Sequence, residues 1–139
     1  MNQQMNQFKV GDTVYCNMQR GTVTRMDGET VIEVDFGDVS MGSRNQQCYP
    51  DTDWVAFYAN TCYSVYQSVV TSKNKHLLNV PEIYKFFIFV WEKLMQAENN
   101  SAEIARLILY MHQFARGVVQ RAEEVSKETL NSIHIFGRR

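Results

Sequence analysis

Much of what this chain does not contain bears directly on what it can do. Its longest strictly apolar run is Phe86-Phe87-Ile88-Phe89-Val90-Trp91. A run that short falls well below the roughly twenty residues a bilayer-spanning helix needs, so no membrane partner is expected. The N-terminal MNQQMNQ has neither a basic stretch nor an apolar core, so it does not read as a signal peptide. No Cys-x-x-Cys pair occurs, and the three cysteines (Cys16, Cys48 and Cys62) are an odd number. Neither a disulfide framework nor a zinc site is expected, and a reducing, cytoplasmic setting fits best. The glycines are scattered and no Gly-Lys-Ser/Thr follows them, so there is no phosphate-binding loop. His76, His112 and His134 stand apart, without the spacing that would make them metal ligands. No cofactor or metal is expected.

What remains is a chain of 139 residues, 45% hydrophobic and 21% charged, ordinary values for one globular domain or a small module with an appendage. The net charge of −1 hides an asymmetry. Residues 1–60 carry four Lys or Arg against eight Asp or Glu, and residues 61–139 carry ten against seven. The front is acidic and the back mildly basic.

The front reads as strands. Val14 and Cys16 alternate with Thr13, Tyr15 and Asn17, and Ile32, Val34 and Phe36 alternate with Glu33 and Asp35. A period of two with one apolar face predicts half-buried strands. Arg20 to Met26 is a third β-rich run, joined to the next by Asp27-Gly28, where a tight hairpin turn asks for positive φ. Gly37-Asp38 and Gly42-Ser43 mark further turns, and Gln46–Tyr49 and Trp54–Tyr58 are candidates for the last strands. Short strands with turns every 8–12 residues predict a small antiparallel barrel.

Phe8-x-Val10-Gly11-Asp12-x-Val14, then Gly21-Thr22-Val23, then a hairpin into Ile32-x-Val34-x-Phe36 resembles the SH3-like barrels of the KOW and Tudor type. It is similar in particular to the C-terminal Tudor-like module of bacterial DNA-repair helicases, and to the front of CarD-type transcription regulators. The resemblance covers about Phe8 to Phe36. It implies that Gly11-Asp12 makes the turn into the first strand and that Gly21 opens the second where backbones cross closely. It also implies a binding module for RNA polymerase, another transcription or repair protein, or nucleic acid. Helicase modules place a basic-aromatic patch where this chain has Asn17-Met18-Gln19-Arg20, a departure that counts against a transferred polymerase contact.

The back reads as helices. Asn79-Val80-Pro81-Glu82 is a helix start, with a capping Asn, Pro in the first turn and an acid near the positive end of the dipole. Ile83 to Met95 is apolar nearly all round. Asn100-x-x-Glu103 resembles a capping box, and Ile104, Leu107, Ile108, Met111, Ala115, Val118, Ala122 and Val125 follow on one face. A short link between the two predicts an antiparallel hairpin. The expected fold is therefore α+β: a small SH3-like antiparallel β-barrel over 1–58, then a helical region over 59–139 with helices about 60–71, 81–97 and 101–130. Lys73-Asn74-Lys75-His76 is the expected linker. The helices carry more apolar surface than one partner hides. Packing on the barrel and on the first helix is one remedy; a homodimer through Phe86, Phe89, Trp91, Leu107, Met111 and Phe114 is the other. The tail Ile133 to Arg139 is expected to dock on its own hairpin.

Function follows less directly. The carboxylates of Glu33 and Asp35, and a Cys62–His112 pairing, are the only material for catalysis; a solvated strand face and a buried thiol explain them better. Tyr15, Phe36, Tyr49, Trp54, Phe57, Tyr58, Tyr63 and Tyr66 crowd the front and middle, as core or as an aromatic binding cage. The reading is a non-enzymatic protein–protein interaction module, with Tyr15, Asn17, Met18, Arg20, Glu33 and Asp35 meeting the partner. Its size and simplicity suit a small phage or bacterial accessory factor acting on a host transcription, repair or defence protein. A nucleic-acid-associated regulator using the basic helical half is the alternative, and a small enzyme using Cys62 or the carboxylates the third.

Overall fold

The computed structural model describes residues 8–37, 40–41 and 48–137, with side chains over 8–37 and 48–131. The chain is α+β. An antiparallel sheet of β1 (Thr13–Cys16), β2 (Gln19–Asp27), β3 (Thr30–Asp35), β4 (Ser40–Met41) and β5 (Cys48–Pro50) is followed by α1 (Asp53–Val70), α2 (Val80–Ala97) and α3 (Ser101–Gly137). The strand order is β4-β3-β2-β1-β5, so the last strand returns beside the first. The expected linker at 73–76 runs into a single 3-10 turn at Lys75–Leu77. Two compact units, Met1–Tyr63 and Ser64–Arg139, divide within α1. The expected Gly42-Ser43 turn and the side chains of the tail lie outside the described residues.

In the first unit Val14, Cys16, Val23, Val31, Val34 and Cys48 form the buried cluster, with Phe8, Met26 and Phe36 packed on it. Val31, rather than Ile32, joins Val34 there. The β2–β3 ladder shifts register between Val23 and Arg25 and again between Arg25 and Met26. Such bulges reset the in–out alternation, which a strict period of two cannot anticipate. At Gly21 β2 lies close against β3: a Cβ there would lie 2.6 Å from Val34 Cγ1 and 2.9 Å from the Asp35 carbonyl. The Asp27-Gly28 hairpin forms, with Asp27 paired to Thr30 and Gly28 at φ 65° as first central residue. Glu29 has no positive φ, so one central position, not two, uses the left-handed region.

Two sequence expectations are corrected here. Trp54–Tyr58 is not a strand. Thr52 Oγ1 accepts the Val55 N–H at 3.2 Å, capping a helix that starts at Asp53. Val55, Ala59, Cys62 and Val69 are buried at helical spacing along it, and that periodicity outweighs the β propensity of its Tyr, Val and Thr. The cysteines are not all free either. Cys16 and Cys48 face each other across the β1–β5 ladder and form a disulfide, leaving Cys62 as the free thiol. Strand register brings together two residues 32 apart in sequence, which spacing rules for cysteine motifs do not detect.

In the second unit both expected caps are present. Asn79 Oδ1 accepts the Glu82 N–H at 3.4 Å, and Asn100 Oδ1 accepts the Glu103 N–H at 3.1 Å. α3 runs seven residues past the expected end near 130. Phe86 of α2 stacks on Phe114 of α3, centroids 3.7 Å apart, and also meets Tyr110.

Candidate functional site

β1 and β2 are joined by two residues, Asn17 and Met18, because Cys16 pairs directly with Gln19. Both have positive φ, 54° and 72°, as a type I′ turn requires. Asn tolerates this conformation; for Met it costs on the order of 1–2 kcal/mol. Burial offsets the cost, since the Met18 side chain is only 2% exposed. The turn is anchored on one side by the Cys16–Cys48 link. On the other, Arg20 Nε and Nη2 donate to Asp51 Oδ2 at 3.3 and 3.2 Å. An exposed pair of this kind stabilises by less than about 1 kcal/mol, but it fixes where the guanidinium points.

The result is an open depression of about 450 Å³. Tyr15, Phe36 and Tyr63 supply aromatic wall, the buried Met18 supplies floor, and Gln19, Arg20 and Asn60 supply polar groups. Three of the expected contact residues, Tyr15, Met18 and Arg20, converge here. Asn17 stays in the turn beside it. Glu33 and Asp35 are not part of the lining: Glu33 Oε1 accepts from the Thr24 hydroxyl at 3.1 Å, and Asp35 Oδ1 accepts the Gly37 N–H at 2.8 Å. Their carboxylates serve the local ladder and turn. Asn60 is not among the expected contact residues: with Trp54–Tyr58 expected as a strand, it falls at the very start of the expected helix, where its face is not fixed. Phe36 and Tyr63 stand among the crowded aromatics, with no signal in the sequence to single them out.

Chemically the depression can stack, accept apolar side chains and hydrogen-bond through two amides. Its one formal charge, Arg20, already has a carboxylate partner. Cys62 is buried, and desolvation pushes its thiol up from 9.0 to about 12. It is protonated at neutral pH, the opposite of an activated nucleophile. Among the described residues no three His, Cys, Asp or Glu side chains gather to hold a metal ion.

The self-association set is placed differently from expectation. Trp91, Leu107 and Met111 are 0–2% exposed, so they cannot meet a second chain. Phe86 and Phe114 are stacked on each other. Phe89 alone is open, half exposed, with Lys93 Nζ 5.5 Å from its ring centre. The sequence showed that α2 was apolar nearly all round without showing which side its own chain covers. No protein-family model matches the chain, and neither a curated protein nor a solved structure is significantly similar to it.

Proposed function

We propose that this chain is a non-enzymatic protein-interaction module that receives its partner at the Tyr15–Met18–Tyr63 depression. In this reading the sheet is an SH3-like barrel of the KOW or Tudor type, and α2 and α3 are an antiparallel hairpin. The return of β5 beside β1 and the close approach at Gly21 support the barrel. The stacking of Phe86 on Phe114, together with the attraction of Lys93 for Glu103, supports the hairpin.

The observation that carries the proposal is the preformed aromatic and amide lining, built on a turn whose Met backbone is held against its own preference. Strain kept at a surface feature is more often functional than incidental. The unit around it has four basic against eight acidic residues, so the complementary partner surface is basic. An apolar or aromatic side chain of that surface fills the depression, and the Gln19 and Asn60 amides bond to its backbone.

The test is affinity capture from the native host with wild type, Asn60→Lys and Thr30→Lys. Asn60 is an exposed lining residue, whereas Thr30 is exposed at the β2–β3 hairpin and is not part of the lining. Asn60→Lys adds bulk and repulsive charge at the site, and recovery of the partner is expected to fall at least about tenfold, the effect of about 1.4 kcal/mol. Thr30→Lys is expected to retain it. Equal recovery by Asn60→Lys would remove the depression from the binding surface.

A further inference from the structure

Two leucines on α3 are left in water: Leu109 is 57% exposed and Leu130 is 62% exposed. They lie 21 residues apart, three heptads. Between them, at alternating steps of three and four, come His112, Arg116, Val119, Glu123 and Ser126. This is the spacing of a coiled-coil seam, apolar at its two ends and its middle and polar between. It runs beside the face that carries the buried Leu107, Met111, Ala115 and Ala122, and Ala115 borders it. A depression of about 520 Å³ sits at its middle, with Val65 and Val69 of α1 forming one wall and His112, Arg116, Val119 and Glu123 of the seam on the other. The ion pairs within α3 join Arg106 to Glu103 and Arg121 to Glu124, and among the described residues neither Arg116 nor Glu123 has an ion-pair partner of its own.

We propose that this seam is the contact between two copies of the chain, with the α3 helices antiparallel about a two-fold axis near Val119. The charge order selects both occupant and direction. In the antiparallel pair each Arg116 meets Glu123 of the second copy, each Leu109 meets Leu130, and His112 falls opposite the neutral Ser126. A parallel pair would set Arg116 against Arg116 and Glu123 against Glu123. A two-fold contact must be complementary to itself, and this seam is so in one direction only. The seam is about 32 Å long at 1.5 Å per residue. Two helices meeting over that length bury on the order of 1,000 Å², the lower edge of a specific interface. Polar seam positions fix direction at a cost in stability, so the association is expected to be weak and concentration-dependent. The proposal is independent of the partner site on the first unit.

The test is sedimentation of the full chain from about 1 to 300 µM. The wild type is expected to move from one chain of 16.2 kDa toward twice that mass across the range. Arg116→Glu alone and Glu123→Arg alone are each expected to stay at one chain, with helix content unchanged by circular dichroism. Mixing these two variants is expected to restore the dimer, because a mixed pair again sets Arg against Glu at both positions. A wild type that remains one chain at 300 µM overturns the proposal. So does a dimer that either charge reversal leaves intact, or a mixture that fails to recover.

Discussion

At the scale of single residues, backbone conformation and close approach decide more than side-chain type. Gly21 has almost no freedom to change. A methyl group there would press on Val34, Phe36 and the Asp35 carbonyl, the last being backbone that cannot rotate away. Gly21→Ala is expected to destabilise by about 1–3 kcal/mol, the usual cost of overpacking, read as a lower urea midpoint at unchanged slope. The two hairpin turns show how legible such positions are. Asp27-Gly28 announces itself, because glycine is the ordinary solution for positive φ. Asn17-Met18 does not, since a methionine in the left-handed region has no sequence signature. Asn17 to Arg20 is the stretch that the sequence expects to be displayed between the barrel's turns; Met18 within it is buried instead.

At the scale of elements, the caps and the periodic strands were readable, and what was not readable depends on register. The Val31-for-Ile32 exchange follows from ladder shifts, and the Cys16–Cys48 pair follows from which residues β5 sets opposite β1. Neither is a property of a short window of sequence. The cysteine pair has a measurable consequence. Without reductant the denatured chain is expected to yield one titratable thiol, Cys62, and after reduction three. Replacing Cys16 and Cys48 by Ser is expected to cost about 3–4 kcal/mol on the chain-entropy model for a closed loop of this length. Three thiols before reduction would mean that the β1–β5 ladder holds without the link. The start of α1 was hidden for another reason: Trp54, Phe57 and Tyr58 favour strands by propensity, and the Thr52 cap and the buried stripe overrule them.

At the scale of the whole molecule, the charge asymmetry between front and back invites a nucleic-acid reading of the basic half. Pairing within the helices weakens it. Lys85, Arg106 and Arg121 each face a glutamate three residues away, Glu82, Glu103 and Glu124. The Arg106 pair is close enough to hold the Glu103 carboxyl below its usual range. Cations already answered in this way release few counterions on meeting phosphate. Fluorescence titration with single-stranded DNA at about 50 mM salt is therefore expected to show no binding at micromolar protein. Tight binding that falls about a thousandfold or more by 200 mM salt would favour the nucleic-acid regulator instead.

The sheet's outer strands carry one last implication. β4 is two residues long, and β5 is three and ends in Pro50, which has no N–H to offer a neighbour. A brief, proline-ended border such as β5 gives a foreign strand little template for growth, which guards against fibril-like stacking on that side when the chain is concentrated. It also bears on how a partner would be held in the proposed role. In the proposed role, β5 disfavours a partner enrolled as an extra strand and favours one gripped through side chains, so recognition is expected to depend on the identity of a few residues rather than on the partner's ability to extend.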